Sequence, residues 1–326
     1  MRIRWGTLLA LPLLLAVLAA CDHPVVGEAV GVREAGQPLN SSALGDLRTL
    51  DPCGLPAPGT FAAYGAAHQL ARESFDECRF AVTVGSENVV VYLGMLRPAA
   101  ALPEGGRTVA ALPGRTRVVR TSADGDLPCE SHLLLEDNIA VSVVADAQLS
   151  ESELDFGTVC GIARAGAEGI HQTMSSGQVR HWNPPANSFA RLSACALLAA
   201  PDVAARVEAS TADVTLYPAE HQCTWGVAGG EHSNAQLDLV VGKPLDPSAG
   251  SVENIGGRRT LVELTETQTV RVCTLFTEHA PFADAVEDER ELAVVRVLHP
   301  ADTGKDPCST GRELAGAAWP KLPAAP

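Results

Sequence analysis

The chain has 326 residues, 46% of them hydrophobic and only 4% aromatic. That is enough apolar material to bury a core and, at roughly 100–200 residues per domain, to fill two domains. Arginine outnumbers lysine 21 to 3 and the formal charge is −15, which argues against nucleic acid as a partner, because a binder neutralises phosphates with clustered cations. Nine cysteines exclude an ordinary reduced cytosolic protein unless they hold metal or do redox chemistry.

Residues 1–20 read as a signal peptide. Arg2 and Arg4 make a short positive region, and Leu8–Ala20 is apolar apart from Pro12, thirteen residues that are too few to span a bilayer. The segment ends in Leu18-Ala19-Ala20-Cys21. Small residues before the cut suit a signal peptidase, and Cys21 supplies the thiol that receives diacylglycerol. An ordinary cleaved leader that happens to meet a cysteine is the competing reading. Two or three acyl chains such as palmitate, at about 0.8 kcal/mol per buried CH₂, hold a protein on a membrane durably. The mature chain, with a charge of −17 once the two leader arginines are gone, is therefore expected to be a bacterial lipoprotein on the extracytoplasmic side of the cell membrane. Residues 21–50, the acylated cysteine and a Gly-, Pro- and Ser-bearing run, are expected to form a flexible stem with a reach of roughly 30 Å.

The other eight cysteines come in two sets of four: Cys53, Cys78, Cys129, Cys160, then Cys195, Cys223, Cys273, Cys308. Within the sets the spacings are 25, 51, 31 and 28, 50, 35, and matching members are 142, 145, 144 and 148 residues apart. Offsets this constant indicate one domain written twice. The flanks agree: Cys78-Arg79-Phe80 matches Cys223-Thr224-Trp225, and the two fourth members, Cys160 and Cys308, each open a helical stretch. Asp51-Pro52-Cys53 at the start of the first repeat and Asp306-Pro307-Cys308 at the end of the second use the same device, a capping Asp before a first-turn Pro. Four cysteines allow three pairings per repeat; first-with-second and third-with-fourth is the expected one, joining a short N-terminal helix to the first strand and a sheet strand to the last helix. Zinc is the rival reading, but there is no Cys-x-x-Cys and the spacings fit no finger or ribbon.

In chain order the first repeat (51–174) presents strands at Arg79–Val84, Val89–Leu96, Thr116–Thr121, His132–Leu135 and Ile139–Ala145, then a helix near Phe156–Gln172. Ser175–Phe189 and its Asn183-Pro184-Pro185 form the linker (175–190). The second repeat (191–322, before a tail at 323–326) opens with helical Ala194–Val207, interrupted at Pro201. Its strands are Cys223–Ala228, Ala235–Val241, Arg258–Leu264, Val270–Thr277 and Leu292–Leu298, and a closing helix begins at Asp306-Pro307. In Ala235–Val241 the odd-numbered residues are all apolar, the alternation of a half-buried antiparallel strand. The expected fold class is α+β: two tandem domains, each an antiparallel sheet of about five strands with helices packed on it and two disulfides.

Several residues carry a family likeness. Ser193-Ala-Cys195-Ala-Leu-Leu-Ala-Ala-Pro-Asp-Val-Ala204, Cys223-Thr-Trp225, Asp306-Pro-Cys308 with Leu314-Ala, and Trp319-Pro-Lys-Leu-Pro323 resemble actinobacterial cell-envelope lipoproteins that carry a double-disulfide domain of unknown function. Similar modules occur as extracellular sensor domains of some actinobacterial receptor kinases. The likeness covers the second repeat. In the first, Asp51-Pro-Cys53, the cysteine spacing and Cys78-Arg-Phe80 match, while Gly54-Leu-Pro-Ala-Pro stands where Ala-Leu-Leu is usual. The resemblance implies a place and a fold, and no catalytic residue.

Chemistry-bearing motifs are sparse. There is no Gly-x-Ser-x-Gly, His-Glu-x-x-His, P-loop or dinucleotide fingerprint, so no cofactor or metal is expected. None of the nine histidines has another at i+4. His221 could meet Glu220 and Asp213 but reads as a solvated loop residue, and His132 as an exposed strand residue. Glu287-Asp288-Glu289-Arg290-Glu291 lacks the alternating ligands of a calcium loop and reads as solvated. His181 and Trp182 are the candidate binding residues, since tryptophan anchors binding surfaces and pockets favour domain junctions; the alternative is that Trp182 pins the linker to a neighbouring sheet. The function expected is non-catalytic binding or sensing of an envelope protein or small molecule. The alternatives are an envelope hydrolase whose acid–base pair assembles only in the fold, or a module that presents the Glu278–Arg290 connection to another protein.

Overall fold

A computed structural model describes residues 38–147, 154–227 and 232–324. Cys21 and most of the expected stem lie outside the described residues, as does the signal peptide. The first half contains β1 (Ala66–Gln69), β2 (Cys78–Val84), β3 (Glu87–Pro98), β4 (Arg107–Ala111), β5 (Arg117–Arg120), β6 (Cys129–Leu134), β7 (Ile139–Asp146) and the helix α1 (Phe156–Ser176). The second contains α2 (Ala194–Leu197), α3 (Ala200–Val207), β8 (Val214–Leu216), β9 (Gln222–Trp225), β10 (Asn234–Gly242), β11 (Ser251–Ile255), β12 (Arg258–Glu266), β13 (Val270–Pro281), β14 (Arg290–Pro300) and α4 (Pro307–Ala318).

Each half is one antiparallel sheet of seven strands rather than five, so the molecule is more β than α. The first sheet runs β1-β2-β3-β7-β6-β5-β4. The second runs β8-β9-β10-β14-β13-β12-β11, which is the same order strand for strand. The two strands absent from the sequence reading are equivalent in both halves: β1 and β8 at one edge, β4 and β11 at the other. Edge strands need to be apolar on at most one face, and Ala66-Ala67-His68-Gln69 has none of the β-branched residues that mark a strand.

The disulfides repeat the same plan. Cys53–Cys78 and Cys195–Cys223 tie the entry turn of each half to its second strand, and Cys129–Cys160 and Cys273–Cys308 tie the sixth strand to the closing helix. Asp51 and Asp306 accept from the main-chain N–H of Cys53 and Cys308. After Asp51 the helix stops at one turn, Pro52–Gly54, because Pro56 and Pro58 follow and each removes a donor and clashes with the preceding turn. In the second half Pro201 sits in the first turn of α3, separating it from α2.

The closing helices lie on the sixth and seventh strands of their sheets. Both use a glycine for close approach: a Cβ on Gly166 would come within 2.8 Å of Val143, and one on Gly311 within 2.4 Å of Leu275. Each half has its own buried core. The first also takes in Leu39, Leu44 and Leu50, so the packed domain starts well before residue 51 and the expected stem is shorter at its C-terminal end. Among the described residues no helix is long and apolar enough to cross a membrane.

Candidate functional site

The linker does not span open space. Leu50 and His181 form an antiparallel bridge, Trp182 donates its backbone N–H to Thr49 O (2.7 Å) and Asp51 donates to Arg180 O (3.0 Å). Trp182 is therefore held against the first half and is only 7% exposed. Its ring meets Phe75 and Phe282 edge-on, with centroids at 5.7 and 5.4 Å, and the Arg72 guanidinium lies 5.4 Å from its centroid. The pinning role is the one the geometry fits; Trp182 is interior and presents no face to a ligand. His181 remains exposed, with Nδ1 3.3 Å from the Thr49 hydroxyl.

Around this stack lie buried polar contacts, some within a half and one between the halves. Arg72 Nη2 donates to Asp51 (3.1 Å) and its backbone N–H to Glu289 Oε1 (2.8 Å). Glu289 is fully buried. Burial raises its carboxyl pKa, but the N–H groups of Arg72 and Glu287 more than offset this and hold it below its ordinary value. Glu291 accepts from the Ser188 hydroxyl (2.5 Å) and the Phe189 N–H (2.7 Å). The acidic run expected to be solvated is thus half structural. Phe282 and Glu289 anchor the ends of the β13–β14 connection, and only Ala283–Asp288 are exposed.

His221 is the sharpest departure from the sequence reading. It is 1% exposed, and its ring hydrogen-bonds neither Glu220 nor Asp213. Its Nδ1 lies 2.5 Å from Asp76 Oδ1 of the other half and its Nε2 2.9 Å from Ala190 O. Burial pushes this imidazole down, but the charge of Asp76 and the two hydrogen bonds outweigh it and the net shift is upward. Two acceptors on two ring nitrogens define an imidazolium, which cannot take up a further proton. His221 is a clamp and no general base. Nearby Glu220 pairs with Arg48 (2.7 Å), which holds its carboxyl low. Asp238 accepts from Gln236 with both oxygens (2.9 Å) and is pushed up to about 6 by burial.

Two further constellations have no signal in the sequence. On the first sheet Val119, His132 and Ser142 face one another across β5, β6 and β7. Ser142 Oγ lies 3.0 Å from His132 Nδ1, His132 Nε2 lies 3.0 Å from Thr121 Oγ1, and Thr121 donates to Glu130 (3.2 Å). The order hydroxyl, imidazole, carboxylate imitates a nucleophile, base and orienting acid. Yet His132 is 3% and Ser142 5% exposed, so no substrate reaches them, and both sit in mid-strand where the main chain is engaged in the ladder. Burial lowers His132 to about 4, with Glu130 opposing, far too acidic for a base at neutral pH. The cysteine register maps this pair onto Phe276 and Val294 of the second sheet, an apolar pair, so the module folds without it.

The other constellation lies at the far end of the second half, where a cleft of about 360 Å³ is lined by Glu208, Asp213, Ser233 and Lys305. Lys305 Nζ pairs with Glu208 (2.6 Å) and the Ser233 hydroxyl meets Nδ1 of buried His299 (2.8 Å). Burial, then the Lys305 charge, hold His299 below its usual value. A recess of about 300 Å³ lies in the first half between Phe61, Phe80 and Pro58. Among the described residues no three His, Cys, Asp or Glu side chains are grouped to hold a metal.

No family model matches the chain, and no curated protein does. A solved structure, DynU16 of the dynemicin biosynthetic locus, aligns over 89% of this chain and 95% of its own, at 11% identity and a TM-score of 0.19. A likeness that slight carries nothing about fold or function.

Proposed function

We propose that the protein is a lipid-tethered extracytoplasmic module of a bacterial cell envelope that binds its ligand without transforming it, of the build of the actinobacterial lipoproteins its second repeat resembles. The observation that carries this reading is the duplicated disulfide plan: four bridges placed identically in two sheets suit a scaffold made for an oxidising compartment, downstream of a cysteine placed for acylation. The closed junction directs attention from Trp182 to the cleft at Lys305, whose size is that of a small-molecule site and whose polar groups converge.

Two experiments test it. Replacing Cys21 by Ala should release the protein from the membrane fraction or leave its precursor uncleaved; full processing and acylation of Cys21→Ala would remove the tether. Protein purified from its native host should carry an enriched small molecule or envelope partner that Lys305→Ala loses. If neither preparation retains anything above a mock control, the binding role fails. The hydrolase reading is favoured only by the Ser142–His132 pair, and its test is direct: a fluorophosphonate probe should not label the protein, and labelling abolished by Ser142→Ala would replace binding with catalysis.

A further inference from the structure

The contacts at the junction have a symmetry that neither the disulfides nor the linker requires. The first half holds a one-turn 3-10 helix, Leu47–Thr49, whose cap Asp46 accepts from the Arg48 N–H. The second holds Phe189–Arg191, whose cap Ser188 accepts from the Ala190 N–H. These turns are 142 residues apart, the offset of Cys53 and Cys195, so they are the same element in the two copies, and they pack against each other. Asp76 and His221 are 145 residues apart, the offset of Cys78 and Cys223. They too are the same position in the two copies, and they touch at 2.5 Å.

A residue meets its own equivalent only close to a two-fold axis. Repeats stacked head to tail bring one patch against a different patch, whereas two-fold packing sets a patch against itself. Two separate elements of this chain obey the second rule. We infer that the junction is an isologous, pseudo-two-fold interface: the surface formed by the 3-10 turn and the residue two before the second cysteine is a docking surface whose partner is another copy of the same module, and this chain supplies that copy covalently. Pairing of copies is then a property of the module, independent of whatever ligand the cleft holds. The Arg72–Glu289 contact lies off the axis, because the β13–β14 connection is longer than the β6–β7 turn that matches it.

The test uses the full chain. A protease site inserted between Pro185 and Ala186, both exposed, lets the folded protein be cut where no disulfide crosses. The cut halves should stay together on size exclusion. Asp76→His or His221→Asp alone, which puts like groups opposite each other, should weaken their association at least tenfold. The exchange Asp76→His with His221→Asp should bring it back within about threefold, because equivalent positions are interchangeable. Separation of the unsubstituted halves, equal association of all four proteins, or an exchange variant no better than the worse single change would each overturn the inference. As a readout that does not depend on the exchange variant folding, Asp76→Asn should raise amide exchange in both Leu47–Thr49 and Phe189–Arg191. A rise confined to one of the two turns, or in neither, would overturn it as well.

Discussion

His132 and His221 are both buried, and their environments drive them in opposite directions. His132 has hydroxyl partners and is lowered from 6.5 to about 4. Its folded form therefore binds fewer protons than the unfolded chain across that window, so the stability it contributes is complete above about pH 6.5 and drains away as pH falls toward 4. The shift corresponds to up to about 3 kcal/mol. Glu77, raised by burial to about 7, contributes the opposite slope, being most favourable while protonated. Transplanting the apolar row of the second sheet separates the two: His132→Phe with Ser142→Val should cost less than about 1.5 kcal/mol at pH 7 and flatten the loss between pH 6.5 and 4, as urea unfolding across that range would read. An unchanged acid slope would mean that His132 is not its source. His221 is raised instead, so its contribution is full below its unfolded pKa and fades as pH climbs through the folded value. His221→Leu leaves the Asp76 carboxylate buried and unpaired, and a loss of about 3–5 kcal/mol is expected. A cost under 1 kcal/mol would show the pair to be dispensable.

At the scale of elements, the closing helix of each half is fixed to its sheet by one disulfide and one glycine contact. Replacing Cys129 and Cys160 by Ala opens a 31-residue loop and should cost roughly 3–4 kcal/mol in the chain-entropy picture, read as a lower denaturation midpoint. Gly311→Ala must push the Leu275 side chain aside and should cost about 1–3 kcal/mol, whereas Gly105→Ala meets nothing within 4 Å and is limited to the strain of its positive φ. The central strands, the capped turns and the closing helices were legible because each leaves a local pattern: alternation, Asp-Pro before Cys, an apolar stripe. The four edge strands were not, since a strand paired on one side and partly exposed needs no pattern of its own.

For the whole molecule, the described residues from 38 to 324 belong to one compact unit in spite of the two cores. Buried charge pairs, the Trp182 stack and the paired 3-10 turns should couple the halves, so thermal unfolding should show one transition. Two well-separated transitions would make the halves independent domains joined by a strap. Intact-mass analysis after alkylation under native and denaturing conditions should find no reactive thiol among the eight domain cysteines; two or more would contradict the bridges.

The duplication was determined by the sequence alone, because cysteine spacing is a one-dimensional signal that survives copying; it left three pairings open in each repeat, and the structure decided for first-with-second and third-with-fourth. The tether rests on the sequence too, as an expectation carried by a short apolar run and one cysteine. Only the tertiary structure decided that His221 answers Asp76 across 145 residues, that Glu289 and Glu291 turn inward, and that Trp182 is buried. Whether a polar side chain is solvated depends on what a distant part of the chain lays over it, and no pattern in its own neighbourhood records that.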